Sequence, residues 1–241
     1  MSSVAATDGA LLIGRNIEVR LQQVGIEQQP LMIVDHMLDD PHAMIEAART
    51  TQFYVPEHTN YPGINARLPD AYYRTVIATL RGPLEAAFGL SRSAHLKYFG
   101  FFALATTRSD AARPIQKIPH HDSPDPGRLA MVHYLCQGAF GGTGFFRHKA
   151  TGFESVDATR RDAYVAAASR ELAQSSDTAA YAGPVMANYE MIGRAEMIFN
   201  RLIVYRSHVL HSALLDDVAG SADPAKGRLT ANGFLEATTG P

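Results

Sequence analysis

The sequence has no tryptophan, a single cysteine and almost no net charge. With Cys136 alone, the chain can form neither an internal disulfide framework nor a cysteine-built zinc site. Its 22 basic and 24 acidic residues give a formal net charge of -2. A chain without an excess of basic residues is a poor candidate for binding nucleic acid through a broad, positively charged surface. These absences leave most of the recognisable chemistry to ten histidines and the carboxylates.

Long apolar runs are also missing. No segment approaches the roughly 18 consecutive apolar residues that a membrane-spanning helix needs, and residues 1–10 lack the charged-then-apolar plan of a secretory signal. We therefore expect a cytoplasmic protein whose partners include neither a membrane nor a nucleic acid, and we leave its oligomeric state open. Hydrophobic residues make up 46% of the 241, which is enough for a packed core and excludes a disordered chain.

The first part of the chain predicts helices. Asp40-Pro41 is typical of a helix start, and Pro69-Asp70 opens a second helix that Gly89 ends. Residues 31–34 form a short apolar run that predicts a strand, and Tyr61-Pro62-Gly63 predicts a turn.

From about residue 95 the pattern changes to short β-type runs separated by Gly, Pro, Asp and Ser. These runs are 96–106, 129–137, 143–148, 202–205, 209–215 and 229–235. An alanine- and arginine-rich segment at 157–174 predicts an inserted helix, and a second helical stretch is predicted over about 185–200. We expect one mostly β domain over 1–241. Its jelly-roll (double-stranded β-helix) core would span 95–236, with N-terminal helical support in 1–94 and a helical insert at about 157–199.

The sharpest local feature is a Pro-His-His-Asp run that contains His120 and Asp122. In an extended strand, residues i and i+2 point to the same face, so these two can present an imidazole and a carboxylate to one ion. A third ligand has to come from a later strand, where His208 and His211 are the candidates. Two histidines and one carboxylate leave three positions of an ion open, which is the arrangement of non-haem Fe(II) oxygenases.

Taken alone, the motif also fits a histidine at a turn and an aspartate that caps the following Ser-Pro. The surrounding residues favour the metal interpretation. A strand ending in Tyr134-Leu135 follows, then a tight Gly-Gly-Thr turn at 141–143 and a closing strand at 227–234. Arg228 and Thr230 alternate onto one face of that last strand. A positive fork beside the metal strands suits a dicarboxylate cosubstrate.

The order of these motifs resembles that of the prolyl-hydroxylase-like Fe(II)/2-oxoglutarate-dependent oxygenases: His-x-Asp, Tyr-Leu, Gly-Gly-Thr, a distal His and then Arg. The resemblance covers about residues 96–235. Tyr-Pro-Gly-Ile at 61–64, with Leu-Pro at 68–69, looks like an uncharacterised bacterial branch of that superfamily. The resemblance implies that His120, Asp122 and His211 hold Fe(II), with His208 as the alternative distal ligand.

The resemblance also implies a cosubstrate site. Arg228 would bind the far carboxylate of 2-oxoglutarate, Tyr134 would hydrogen-bond the same carboxylate, and Thr230 would assist. With O2 as the second cosubstrate, the implied activity is hydroxylation of a C–H bond in a small-molecule or amino-acid-like substrate, whose identity stays open. The alternatives are a cupin-like metal enzyme that does not use 2-oxoglutarate and a non-catalytic jelly-roll binding protein.

Overall fold

A computed structural model describes residues 11–57, 60–174, 180–215 and 220–238. Residues 1–10, which lack a secretory-signal pattern, lie outside these ranges. The described residues form three helices, ten strands and one 3-10 turn at Pro114–Lys117. The helices are α1 (His42–Thr50), α2 (Asp70–Phe88) and α3 (Arg161–Gln174). The strands are β1 (Glu18–Val24), β2 (Gln29–Asp35), β3 (Gly63–Arg67), β4 (His95–Ala105), β5 (Arg128–Tyr134), β6 (Thr143–His148), β7 (Tyr189–Ala195), β8 (Leu202–Arg206), β9 (His211–Ala213) and β10 (Arg228–Thr238).

Two antiparallel sheets carry the fold. The large sheet has seven strands in the order β1-β2-β8-β5-β10-β4-β3, and the small sheet has three in the order β7-β6-β9. β10 pairs with β4 along its whole length, from Arg228 opposite Ala105 to Thr238 opposite His95. The expected fold class is therefore confirmed: a mostly β, antiparallel jelly-roll architecture with flanking helices.

The two faces of the large sheet bury different partners, because successive side chains of a strand point to opposite sides. One face packs against α1 and α2 and includes Met32, Val34, Phe102, Leu104, Met131 and Leu229. The other face, here termed the inner face, looks towards the small sheet. Its residues Ile33, Ala130, Tyr134, Ile203 and Tyr205 cluster with Phe145 and Ala195 of the small sheet.

The first two helices begin and end as their local sequence predicts. The Asp40 carboxylate accepts hydrogen bonds from the backbone N–H groups of His42 and Ala43, at 3.0 and 3.3 Å. α2 stops at Gly89, whose φ of 69° lies in the left-handed region that glycine adopts without strain. No helix in the described ranges is both long and apolar enough to cross a bilayer.

Three strands depart from the sequence predictions. β7 occupies a stretch predicted as helical (185–200), so that prediction is wrong. β7 pairs instead with β6, and this non-local pairing outweighs local helix propensity. β3 begins at Gly63, inside the predicted turn, and β1 had no prediction. As a result, residues 1–94 add β1, β2 and β3 to the same large sheet as the strands that follow.

His133 lies on the helix side of β5 and is completely buried. Its Nδ1 is 3.0 Å from the Tyr72 hydroxyl and its Nε2 is 3.2 Å from Asn200 Oδ1. Burial lowers the pKa of this imidazole to about 4. The ring is therefore neutral at pH 7, with Nε2–H donating to Asn200 and Nδ1 accepting from Tyr72.

We expect His133 to make stability pH-dependent. Its pKa is lower in the folded than in the unfolded chain, so only the unfolded chain binds this proton between about pH 6.5 and 4. The free energy of unfolding should fall as pH drops through this window, by up to about 1.4 kcal/mol per pH unit for this group. Urea unfolding at about pH 7 and about pH 5 should show a smaller difference in His133→Gln than in the wild type, whereas the exposed control His95→Gln should match the wild type. An undiminished pH dependence in His133→Gln would contradict this assignment.

Candidate metal centre

The segment that carries His120 is fixed against β9 by backbone pairing. The N–H of His120 donates to the carbonyl of His211 at 2.9 Å, and the N–H of His211 donates to the carbonyl of His120 at 2.8 Å. Two residues later, the N–H of Asp122 donates to the carbonyl of Ser207 at 2.8 Å, just beyond β8. These pairings bring the His-x-Asp motif to the ends of two strands that come much later in the chain.

Three side chains converge at this point. Asp122 Oδ1 lies 3.7 Å from His120 Nε2, and Asp122 Oδ2 lies 3.5 Å from His211 Nε2. The two imidazole centroids are 4.5 Å apart, and one ligand atom from each residue lies within 4.8 Å of the others. Two ligand atoms held about 2.1 Å from one ion lie about 3.0–3.4 Å apart. Small rotations of the side chains would therefore let this group hold a divalent cation.

His208 does not join the group, although it is also buried. Burial and the nearby Arg206 lower the pKa of its imidazole, while Asp157 and Glu27 raise it. Its electrostatic neighbours therefore lie away from Asp122. Of the two candidates for the distal position, the structure brings His211 to the His-x-Asp pair.

The two imidazoles differ in their surroundings: His211 is buried, whereas the His120 side chain is 51% exposed. His211 Nδ1–H donates to the carbonyl of Val209 at 3.0 Å. The other ring nitrogen, Nε2, is therefore unprotonated, lies near Asp122 and can ligate a metal ion. Desolvation and the adjacent His211 ring lower the pKa of His120 to about 4. A neutral imidazole is the form that binds metal ions. The Tyr205 ring packs on His211, with centroids 4.8 Å apart.

The inserted helix α3 supports the segment just before His120. The Tyr164 hydroxyl donates to the carbonyl of Pro119 at 3.2 Å and lies 3.1 Å from the Tyr189 hydroxyl. Tyr164 also packs edge-on against His148, which is completely buried and lies 2.9 Å from Glu171 Oε2. The contact between α3 and the segment before His120 was not predicted, because no local sequence pattern indicates it.

Arg228 lies at the start of β10 and is 3% exposed. Its Nε and Nη2 donate to the carbonyls of Gly141 and Gly142, each at 3.0 Å. Both glycines are required, since a Cβ atom would lie 1.9 Å from the carbonyl oxygen of Leu214 or Ala195, respectively. The Gly-Gly turn thus brings two carbonyls close enough to orient the guanidinium.

Hydroxyl groups surround Arg228 on the inner face. Thr230 and Tyr134 are register partners on β10 and β5. The Tyr134 hydroxyl lies 2.8 Å from Thr143 Oγ1, and burial raises the Tyr134 pKa to about 12. Burial raises the pKa of Tyr61 as well, while the charge of Arg228 lowers it, which indicates that this phenol lies close to the guanidinium. Tyr61 was predicted only as part of a turn.

The pKa of Tyr205 is shifted both by Asp122 of the candidate metal centre and by Arg228. Burial raises its pKa, the Asp122 carboxylate raises it further, and the Arg228 guanidinium lowers it. The Tyr205 phenol, on β8, is therefore near enough to both Asp122 and Arg228 for their charges to shift its pKa. The His-Asp-His group is carried by β9 and the 120–122 segment and contacts Tyr205 of the inner face, the face on which Arg228 also lies.

A surface cavity of about 620 Å³ lies elsewhere, between residues 11–15 and α2. Its lining includes Leu11, Arg15, Asp39 and Thr75 and none of the residues that surround the candidate metal centre. The cavity has no metal-ligating cluster within the described residues. The chemistry of the chain therefore concentrates on the inner face.

We expect the wild type to bind one divalent ion per chain, and Co²⁺ absorption provides the measurement. Asp122→Ala and His211→Ala should each weaken binding by at least about 100-fold, since each removes a ligand outright. His208→Ala is the matched control, because it removes a buried histidine from the same segment. Its affinity should stay at the wild-type level, with folding of all variants checked by thermal melting. Loss of binding in His208→Ala together with retention in His211→Ala would contradict the assignment of the distal ligand.

A family model described as "Family of unknown function (DUF6445)" matches residues 15–235. None of the curated proteins compared with this chain matches it. The matched range contains all the residues of the candidate metal centre and of the Arg228 site.

Among solved structures, the chain is similar to the non-heme alpha ketoglutarate dependent carbocyclase SnoK from nogalamycin biosynthesis, at 10% identity and a TM-score of 0.48 over 87% of this chain and 80% of that chain. It is similar to the epimerase SnoN from the same biosynthesis, at 16% identity and a TM-score of 0.47 over 87% and 77%. A prolyl-4-hydroxylase of Pseudomonas putida matches at 16% identity and a TM-score of 0.34 over 90% and 77%.

Proposed function

We propose that this chain, which belongs to the family of unknown function DUF6445, is an Fe(II)- and 2-oxoglutarate-dependent dioxygenase. Its reaction would be hydroxylation of a C–H bond in a small-molecule or amino-acid-like substrate. The observation that carries the proposal is the convergence of His120, Asp122 and His211, whose ligand atoms lie within 4.8 Å of one another. The buried Arg228 on the same inner face supports the cosubstrate assignment.

The donor set suits ferrous iron. Two imidazoles and one carboxylate on one side of an ion leave three coordination positions for other ligands. His120, Asp122 and His211 would hold the iron, and the Val209 carbonyl would keep His211 in the required tautomer. When bound, iron with 2-oxoglutarate and O2 supplies the oxidising power to attack an unactivated C–H bond. Tyr205 would shield one side of His211 from water, because its ring packs there.

Arg228 would bind the far carboxylate of 2-oxoglutarate. Two of its hydrogen bonds go to the neutral carbonyl groups of Gly141 and Gly142. A buried cation without a counter-charge is costly, so an incoming carboxylate would gain a charge-assisted hydrogen bond. The Tyr134 and Thr230 hydroxyls would donate to the same carboxylate. The raised pKa of Tyr134 keeps its proton in place at pH 7.

We expect the wild type to convert 2-oxoglutarate to succinate in air when Fe(II) is added. Asp122→Ala should abolish this turnover. Arg228→Lys should raise the KM for 2-oxoglutarate by at least about tenfold, because a lysine cannot reproduce the oriented guanidinium fork. Arg194→Lys is the matched control, since it changes an arginine of β7 that is largely exposed. Succinate release measured by chromatography checks each arm.

The same assays separate the alternatives. Metal binding without any consumption of 2-oxoglutarate would indicate a cupin-like metal enzyme. Failure to bind metal and to turn over 2-oxoglutarate would indicate a non-catalytic binding protein. A KM unchanged in Arg228→Lys would remove Arg228 from the cosubstrate site.

A further inference from the structure

The part of the inner face beyond the packed cluster carries three phenylalanines, here termed the aromatic shelf: Phe99, Phe101 and Phe234. Phe99 is 63% exposed although it lies in the middle of β4. Its ring lies 5.7 Å from that of Phe101, and the register of β4 and β10 places Phe234 directly opposite Phe99. A large apolar side chain at the centre of a sheet is normally covered. The shelf is therefore an apolar surface available to a ligand.

The strand register places the shelf beside the candidate metal centre. Phe99, Phe234, Ala130 and Tyr205 form one row across β4, β10, β5 and β8. Neighbouring strands lie about 4.8 Å apart, so the backbones of Phe234 and Tyr205 are separated by about 10 Å. The position between them holds only the methyl group of Ala130. Ala130 is 2% exposed and packs in the inner-face cluster, and Tyr205 contacts His211, so the row connects the shelf to a metal ligand through packed residues.

Two buried polar atoms in the register rows on either side of this one, Arg128 Nε and Asn232 Oδ1, have no hydrogen-bond partner among the described residues. The Arg128 guanidinium lies 4.6 Å above the Phe234 ring, and its Nε is buried without a hydrogen-bond acceptor. The opposing Glu236 approaches Arg128 Nη1 only to 3.4 Å. Asn232 Oδ1, also on the inner face, is buried without a donor. An orphaned donor and an orphaned acceptor beside exposed rings indicate a binding site rather than a packing surface.

The charges around the shelf favour an anion. Lys97 and Arg128 flank Glu236 in one register row, which gives a net positive group. Arg128 also lies next to the metal ligands along the backbone: its carbonyl accepts from Ser207 N–H at 2.9 Å, and the Ser207 carbonyl accepts from Asp122 N–H at 2.8 Å. The guanidinium itself lies over Phe234 of β10, on the other side of β5 from Ser207, so a negative group bound by Arg128 would lie beside the shelf.

We propose that the aromatic shelf binds the substrate, and that this substrate is a small aromatic acid with an O–H or N–H donor. Its ring would stack on Phe99 and Phe101, its carboxylate would pair with Arg128, and its donor would bind Asn232 Oδ1. The role as substrate rests on the proposed oxygenase function, whereas the binding itself needs no metal. A second copy of the chain is a poorer occupant, because one exposed and two half-buried rings offer far less than the roughly 800 Å² per partner of a stable interface.

The test uses metal-free protein in EDTA, with 3-phenyllactate as the probe and saturation-transfer NMR as the readout. We expect 3-phenyllactamide, which lacks the charge, and 3-cyclohexyllactate, which lacks the aromatic ring, to bind more weakly than the probe. Arg128→Gln should weaken binding of 3-phenyllactate by about tenfold or more, and Phe99→Leu by about threefold or more. Arg128→Lys should bind at an intermediate level. Arg194→Gln and Val185→Ala, which change exposed residues elsewhere, should match the wild type.

Several outcomes would overturn the proposal. These are equal binding of the amide, an Arg128→Gln variant that is folded and binds normally, and displacement of the probe by 2-oxoglutarate, which would place it at Arg228. A dimer in sedimentation that Phe99→Asp dissociates would assign the shelf to contact between copies. Binding of the probe without turnover of 2-oxoglutarate would refute only the proposed function, whereas turnover without probe binding would refute only the shelf.

Discussion

The candidate metal centre depends on one pair of backbone hydrogen bonds, those between His120 and His211. His120 belongs to no strand of the two sheets, so this reciprocal pair is what sets its imidazole beside that of His211. The link from Asp122 to Ser207 fixes the carboxylate in the same way. Main-chain pairing of this kind positions ligands more rigidly than side-chain contacts could, because a one-residue slip would turn every ligand to the opposite face.

A second constraint is the buried charge of Arg228. Removing a guanidinium from water costs several kcal/mol, and the carbonyls of Gly141 and Gly142 offset only part of that cost. Both positions of this turn need glycine because a Cβ atom would clash with the carbonyl oxygen of Leu214 or Ala195. The result is a cation held in a fixed orientation beside the Tyr134 ring and in the same strand as Thr230.

Local sequence patterns correctly predicted two helix limits and, except for β7, the strands after residue 95. Asp40 and Gly89 mark helix limits through their own hydrogen bonding and backbone conformation, and the short β-type runs after residue 95 were correctly predicted as strands. The alternation of strand residues also placed His120 and Asp122 on one side. β7 was wrongly predicted because Glu190, Met191 and Arg194 are good helix formers, and only pairing with the distant β6 makes this segment extended.

In the candidate metal centre, too, contacts between distant segments decide what local sequence patterns leave open. His208 and His211 are three residues apart, and nothing local decides which one meets the motif; the bridge to His120 decides it. Tyr61, Tyr164 and Arg128 carried no sequence signal, since each gains its place from a partner far along the chain. Arg228 was singled out from the sequence because it lies on a closing strand in an order of motifs that resembles the oxygenases, and its role in binding a cosubstrate stays a prediction.

The hydrogen bond from Tyr164 to Pro119 has a consequence for anyone who re-engineers this protein. The inserted helix supports the segment that carries His120 and Asp122, so shortening this helix would remove that support. Phe99 lies on β4, and its ring contact is with Phe101. Substitutions on the β4 side should therefore leave the placement of the three candidate ligands unchanged.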